Sequence, residues 1–277
     1  MKVISFVNMK GGVAKTTLAV NVADCISRRH NKKVLLIDVD PQFNATQCLL
    51  NGDFYKAHID NKGHTIIDLF DDTPKTTVSS VSGGSEKSPI NKDEIKPIVI
   101  TDNLHLIPGA LNLYRLEMNG GQGRELRLKN YIQHLNDMIA YDYVIIDTPP
   151  TPSAWMSSAL IASTHYLVPV KPEPLSATGI DLLQSVINRI TSNYNLNLSC
   201  AGVVFTIVEG NTLVYRQAKK YIDNNSHWKG KRFNSSLSKR TEIARNQGAQ
   251  TLILDGTIPD SKMQISQIAA ELLNRIG

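Results

Sequence analysis

Lys10-Gly-Gly-Val-Ala-Lys-Thr-Thr17 decides how the rest of the chain is read. The apolar run Val3-Ile-Ser-Phe-Val7 precedes it, and Leu18-Ala-Val-Asn-Val-Ala-Asp-Cys-Ile26 follows with helix-compatible spacing. A strand, a glycine-bearing turn and a helix start, in that order, make an anion site. The backbone N–H groups of Gly11, Gly12, Val13, Ala14, Lys15, Thr16 and Thr17 converge there, and the helix dipole favours phosphate. Lys15 is placed to reach the β- and γ-phosphates of a nucleotide, and the Thr16 hydroxyl to ligate Mg²⁺. The usual pattern is G-x-x-x-x-G-K-[ST]. Here Ala14 stands where the last glycine is expected, and an extra lysine, Lys10, heads the loop.

Two further stretches end apolar runs on carboxylates. Lys33-Val-Leu-Leu-Ile-Asp-Val-Asp40 has the unbroken apolar character of a central parallel strand, buried on both faces. Ligands in such sheets gather at the strand C-termini, so Asp38 and Asp40 are expected in the crevice that holds the phosphate loop. Tyr141-Asp-Tyr-Val-Ile-Ile-Asp147 repeats the pattern, and Thr148-Pro-Pro150 stiffens the turn after it. Such an aspartate suits a water-mediated hold on Mg²⁺, and phosphoryl transfer needs metal charge and an in-line water more than a strong base.

Together these segments resemble the deviant Walker A ATPases of the ParA/MinD superfamily, and ParA-type partition ATPases in particular. The carrying residues are Lys10 and Lys15, Asp38-Val-Asp-Pro-Gln-Phe-Asn-Ala-Thr46, and Asp147-Thr-Pro-Pro150, in the family's order. The resemblance implies an ATP-dependent sandwich homodimer in which Lys10 reaches the partner's nucleotide. It implies that Asp40 helps place the attacking water, that Asp38 lies in the outer shell of Mg²⁺, and that Thr206 contacts adenine. A departure tempers the adenine side: Asn234-Ser-Ser-Leu237 stands where the family has an Ile-Pro element. The resemblance further implies weak intrinsic ATP hydrolysis, stimulated by a ParB-like centromere-binding protein or a cargo adaptor. Non-specific DNA binding by the ATP-bound dimer, ended by hydrolysis, with a plasmid as the cargo, completes what the resemblance implies. A ParA-like ATPase positioning a protein cargo and a MinD-like membrane-cycling ATPase are the alternatives.

With 277 residues, 42% hydrophobic and 20% charged, the chain has material for a substantial core. Cys25, Cys48 and Cys200 are far apart and lack metal-ligand spacing, so they read as buried thiols in a reducing compartment. That spacing disfavours an iron–sulfur reductase. No apolar stretch approaches 18 residues, and the first strand begins almost at once, so a cytoplasmic protein with no membrane partner is expected, and the family resemblance implies that it is nucleoid-associated.

The net charge of +5 permits a polyanionic partner without requiring one. Between 219 and 245 the cations concentrate: Lys219, Lys220, Lys229, Lys231, Arg232, Lys239, Arg240 and Arg245, interleaved with Tyr221, Trp228 and Phe233. Such a strip can track a phosphate backbone, or merely solvate a face. By the family resemblance Lys219, Lys220, Lys239, Arg240 and Arg245 are the DNA-binding candidates.

The expected fold is α/β: one doubly wound, mostly parallel sheet over residues 1–277, flanked by helices as in P-loop NTPases. Residues 71–97, rich in Ser, Thr, Gly and Lys, read as a flexible insertion. Thr65-Ile-Ile-Asp-Leu-Phe70 reads as a helical turn or a short strand. Amphipathic helices are expected within 123–138, through Leu182, Val186 and Ile190 after a Ser176 cap, and over Met263–Ile276.

Overall fold

A computed structural model describes residues 1–71, 94–118, 123–174 and 176–277 of the chain. Its sheet has seven strands: β1 (Lys2–Phe6), β2 (Val34–Asp38), β3 (Ile98–Thr101), β4 (Leu104–Ile107), β5 (Tyr143–Asp147), β6 (His165–Val170) and β7 (Ser199–Phe205). Their spatial order is β3-β4-β2-β5-β1-β6-β7. Every pairing is parallel except that of β3 with β4. The fold is therefore the expected mostly parallel α/β sheet, with one antiparallel edge.

Alternation explains why the strands read as unbroken apolar runs. On β1, Ile4 and Phe6 pack against helix α1 (Lys15–Arg29), α2 (Asn44–Leu49) and α11 (Pro259–Ile276). Val3 points to the opposite layer, which includes α4 (Ile66–Phe70), α5 (Leu113–Met118), α6 (Arg127–Met138) and α7 (Ala154–Ala162). A third cluster joins β6 and β7 to α7, α8 (Ser176–Asn193) and α9 (Leu213–Asn224). With helices on both faces, both sides of a central strand are mostly apolar, and the polar exception on β1, Ser5, is buried in a 2.6 Å hydrogen bond with Ser163. Each fully buried Leu, Ile or Val adds about 1.5–3 kcal/mol relative to exposure.

Local expectations fared unevenly. Thr65–Phe70 is helical: the Thr65 side chain and the N3 Asp68 carboxylate form a capping box. The amphipathic helix expected at 123–138 begins with a 3₁₀ turn at Arg124–Leu126 before α6. In α8, Val186 and Ile190 face inward as expected, but Leu182 is 54% exposed, and Ile180, Leu183 and Ile187 supply the rest of the buried stripe. The expected Ser176 cap lies outside the residues whose side chains are described. So does most of the expected insertion at 71–97, of which 72–93 are not described. Its last residues lead into β3, an element not expected from sequence, as α3 (Gly52–Asp60) and α10 (Thr241–Gln247) also were not.

The segment 231–239 runs along the outer edge of β7. Val203 N–H donates to Lys231 O at 2.9 Å, Phe233 N–H to Val203 O at 2.8 Å, and Leu237 N–H to Phe205 O at 2.9 Å. At the far end Lys239 N–H donates to Val208 O at 2.9 Å.

On α1, Asp24 is buried beside Arg28, whose Nη1 lies 3.4 Å from Asp24 Oδ2 and also bonds Asp255. Burial pushes the Asp24 carboxyl up to about 6, with Arg28 opposing that rise. Because the folded-state value lies above the ordinary one near 4, the folded state binds the proton more tightly than the unfolded chain. Stability is then highest below pH 4 with respect to this group and falls as pH rises to about 6, by on the order of 2–3 kcal/mol. Asp24→Asn removes that slope: in urea unfolding, the variant gains on the wild type between pH 4.5 and 7. An equal difference at both pH values would contradict the assignment.

Candidate active site

The ends of β2, β5 and β1 lie side by side, with Asp38 in register with Asp147 and Asp147 with Phe6. The loop leaving β1 curls over these ends into α1. Gly12 (φ 70°) and Ala14 (φ 55°) both take left-handed backbone conformations. Ala14 thus adopts the geometry that usually calls for glycine, which costs an L-residue about 1 kcal/mol.

Lys15 is 6% exposed; its ammonium donates to Thr148 O and lies 3.8 Å from Asp147 Oδ1. Thr16 Oγ1 donates to Asp147 Oδ2 at 2.7 Å. Asp147 Oδ1 is buried with no hydrogen-bond partner. Burial raises the Asp147 carboxyl above the ordinary carboxylate range, while Lys15 and the Thr16 hydroxyl oppose the rise. Asp38 is raised too, first by burial and then by the charge of Asp147, against two bonds from the Thr46 backbone N–H and hydroxyl, both 2.8 Å. Gly109, at the end of β4, is required for this approach: a Cβ there would lie 2.9 Å from Asp38 Cγ and 2.8 Å from Phe43 Cβ. Asp40 is 3% exposed; its carboxylate accepts from Gln42 N–H at 2.9 Å and it lines the cleft.

The cleft has a volume of about 760 Å³ and runs from Lys10 across the loop to α2 and the end of α10. One hydroxyl, one orphaned carboxylate oxygen and nearby carboxylates fit a Mg²⁺ that keeps several waters and takes its other ligands from phosphate. Among the described residues no three His, Cys, Asp or Glu side chains form a metal cage. Cys48 shares the cleft, where burial pushes its thiol up to about 12 and so favours the protonated form.

Lys10 lines the cleft at the head of the loop. Its ammonium pairs with Glu173, in the segment between β6 and α8, and Glu173 also pairs with Lys171 at 2.5 Å. These two lysines, Lys10 first, hold the Glu173 carboxyl below the usual carboxylate range.

Thr206 lies elsewhere. Expected as an adenine contact, it is completely buried behind the loop, and its hydroxyl donates to Val13 O at 2.7 Å. It buttresses the phosphate loop and does not line the cleft. The basic strip divides as well. Lys219, Lys220, Lys229, Lys239, Arg240 and Arg245 are exposed, whereas Arg232 is held by Asp223 through bonds of 2.8 and 3.2 Å. The aromatics expected to interleave with it belong to the core: Trp228 is 0% and Phe233 2% exposed. Sequence reasoning missed Glu173, Gln247 and Gln250, for which no motif gives a signal. Thr46 was visible inside the quoted motif without an assigned role.

A family model described as an AAA domain matches residues 1–200. A ParA family protein of Chlamydia trachomatis is 32% identical over 203 residues, covering 72% of this chain and 69% of the relative. The chain belongs to the ParA family of partition ATPases. Soj of Bacillus subtilis, a sporulation initiation inhibitor protein, is similar at 31% identity over 230 residues, 79% of each chain. Among solved structures, a plasmid partition protein from Borrelia burgdorferi superposes with a TM-score of 0.72 at 23% identity, covering 99% of both chains. That likeness shows that the two chains share a fold.

A ParA phosphate loop with alanine at a left-handed position makes a direct test of the backbone argument. Ala14→Gly is expected to raise stability by up to about 0.6 kcal/mol in denaturant unfolding, the left-handed strain relieved less glycine's added unfolded-state entropy. A loss of stability would show that the methyl group contributes packing that outweighs the strain.

Proposed function

We propose that this ParA family member is a Mg²⁺- and ATP-dependent DNA partition ATPase, with plasmid DNA as its cargo. ATP binding closes a sandwich homodimer, the dimer binds DNA non-specifically, and hydrolysis, stimulated by a ParB-like centromere-binding protein, releases it. The observation that carries the reading is the placement of Lys10 at the cleft wall, where its ammonium is tethered to Glu173 from outside the phosphate loop. An ion pair that is 39% and 29% exposed is worth roughly 0–1 kcal/mol, so a phosphate of a second protomer's nucleotide can displace Glu173.

Within one protomer the roles divide by position. The backbone of Gly11 to Thr17 and the ammonium of Lys15 bind the phosphates. Thr16, with Asp147 and Asp38 behind it, would hold Mg²⁺, which supplies charge neutralisation at the β- and γ-phosphates. Asp40, at the cleft wall, orients the attacking water. Thr206 keeps the loop in shape through Val13.

The DNA side rests on the exposed cations Lys219, Lys220, Lys239, Arg240 and Arg245. Two of them make only surface pairs, Lys239 with Glu209 at 2.6 Å and Arg240 with Asp260 at 3.7 Å. Such pairs are weak enough for DNA phosphates to compete. With Trp228 and Phe233 buried, the grip is Coulombic, so affinity falls steeply with salt. Among the described residues no helix is long and apolar enough to cross a membrane. The closing helix α11 buries Ile265, Ile268, Leu272 and Ile276 against the sheet, which leaves that face unavailable for membrane cycling.

The test is binding to random duplex DNA with ATP, with ADP and without nucleotide. Tight binding in the ATP state alone supports the switch, and equal affinity in all three states removes it. Two substitutions separate the roles. Lys15→Ala is expected to abolish nucleotide and DNA binding together. Asp40→Ala is expected to keep ATP binding and dimerisation while hydrolysis drops at least about a hundredfold, leaving the protein on DNA. Normal turnover by Asp40→Ala would refute its assignment.

A further inference from the structure

The segment 247–250 spans the nucleotide cleft and ties its two lips together. Gln247 Nε2 donates to Thr17 Oγ1 at 2.8 Å, on the phosphate-loop helix α1, and contacts Cys48 Sγ on α2 at 3.6 Å. Gln250 Nε2 donates to Gln47 O, also on α2, at 3.1 Å. Each lip leads to the phosphates. Thr17 follows the Thr16 hydroxyl that bonds Asp147, and α2 begins beside Thr46, which holds Asp38. Gln250 itself is in a left-handed conformation (φ 51°), so its backbone is held by its surroundings and not by local preference.

The same segment is the C-terminal continuation of α10. That helix has no fully buried residue; Ile243 alone is partly packed against the core. Its other ties are polar, chiefly Glu242 accepting from the backbone and hydroxyl of Thr257 at 3.2 and 2.8 Å. A helix so lightly packed takes its position from the few bonds at its ends. It carries two of the exposed cations, Arg245 within it and Arg240 at its N-cap.

We propose that Gln247 and Gln250 form a relay that sets the position of α10, and hence of Arg240 and Arg245, according to whether the phosphate site is filled. Phosphate and Mg²⁺ entering between α1 and α2 shift Thr17 and the Asp38–Thr46 pair relative to one another. The two amides convert that shift into a displacement of α10. The relay is a positioning device: neither glutamine is assigned a chemical step. Its effect on DNA rests on the partition reading, whereas the movement of α10 does not.

The test uses the full chain and the variants Gln247→Met, Gln250→Met and their combination. Methionine keeps the volume and removes the amide donors. Two readouts are taken with saturating ATP and without nucleotide: hydrogen exchange of residues 241–247, and affinity for random duplex DNA. Saturation keeps any loss of ATP affinity out of the comparison. In the wild type, ATP is expected to change α10 exchange and to raise DNA affinity about tenfold or more. In the double variant both responses are expected to shrink toward none, with thermal unfolding close to the wild type. If the double variant does not fold, each single variant is read the same way, with partial loss expected. An α10 whose exchange ignores ATP in the wild type overturns the relay, and so does a full wild-type response in the variants. An α10 that responds to ATP while wild-type DNA affinity does not supports the relay and overturns the partition reading instead.

Discussion

A single buried ammonium, that of Lys15, faces the buried carboxylates of Asp147, Asp38 and Asp40 at the centre of this molecule. Lys15 sits 3.8 Å from Asp147, and Asp147 faces Asp38 across neighbouring strands. Placing two carboxylates in a dry site is costly unless cations accompany them. Here the protein provides one lysine, a threonine hydroxyl on Asp147, and a backbone N–H and hydroxyl on Asp38. Burial and the neighbouring carboxylate thus work against full ionisation of Asp38, and burial does the same at Asp147. Much of the surrounding architecture serves that arrangement. Central strands deliver the aspartates in register, Gly109 makes room beside Asp38, and Thr206 braces the loop from behind.

How much of this was legible in the sequence depended on the range of the interaction. The loop, the two aspartate-ended strands and the helix after the loop are written in contiguous residues, so periodicity and spacing found them. Lys10 was legible as an oddity, but its tether to Glu173 was not, because an ion pair between residues so far apart in the chain leaves no local trace. Gln247 meets Thr17 for the same reason without warning. Short helices such as α3 and α10 escaped because they bury almost nothing, and a helix with no buried stripe has no apolar period to read.

Two misreadings share a different cause. Trp228 and Phe233 stand among lysines in the sequence and read as part of a binding strip, yet both are core residues. Thr206, assigned to adenine by resemblance, is buried as a support for Val13. In each case the residue type was compatible with two environments, and the packing of β7 against its neighbours decided between them. Sequence composition reports which residues are near one another along the chain. It does not report which of them the fold turns inward.

The stretch 231–239, laid along β7, has a consequence for how the molecule meets others. A sheet ends in two rows of unpaired backbone groups, and such rows invite strands from other chains. On the β7 side, Val203, Phe205 and Val208 already exchange backbone bonds with Lys231, Phe233, Leu237 and Lys239. That margin is closed to strand addition along those residues. Any partner meeting this flank along those residues would have to be gripped by side chains and not by an added strand.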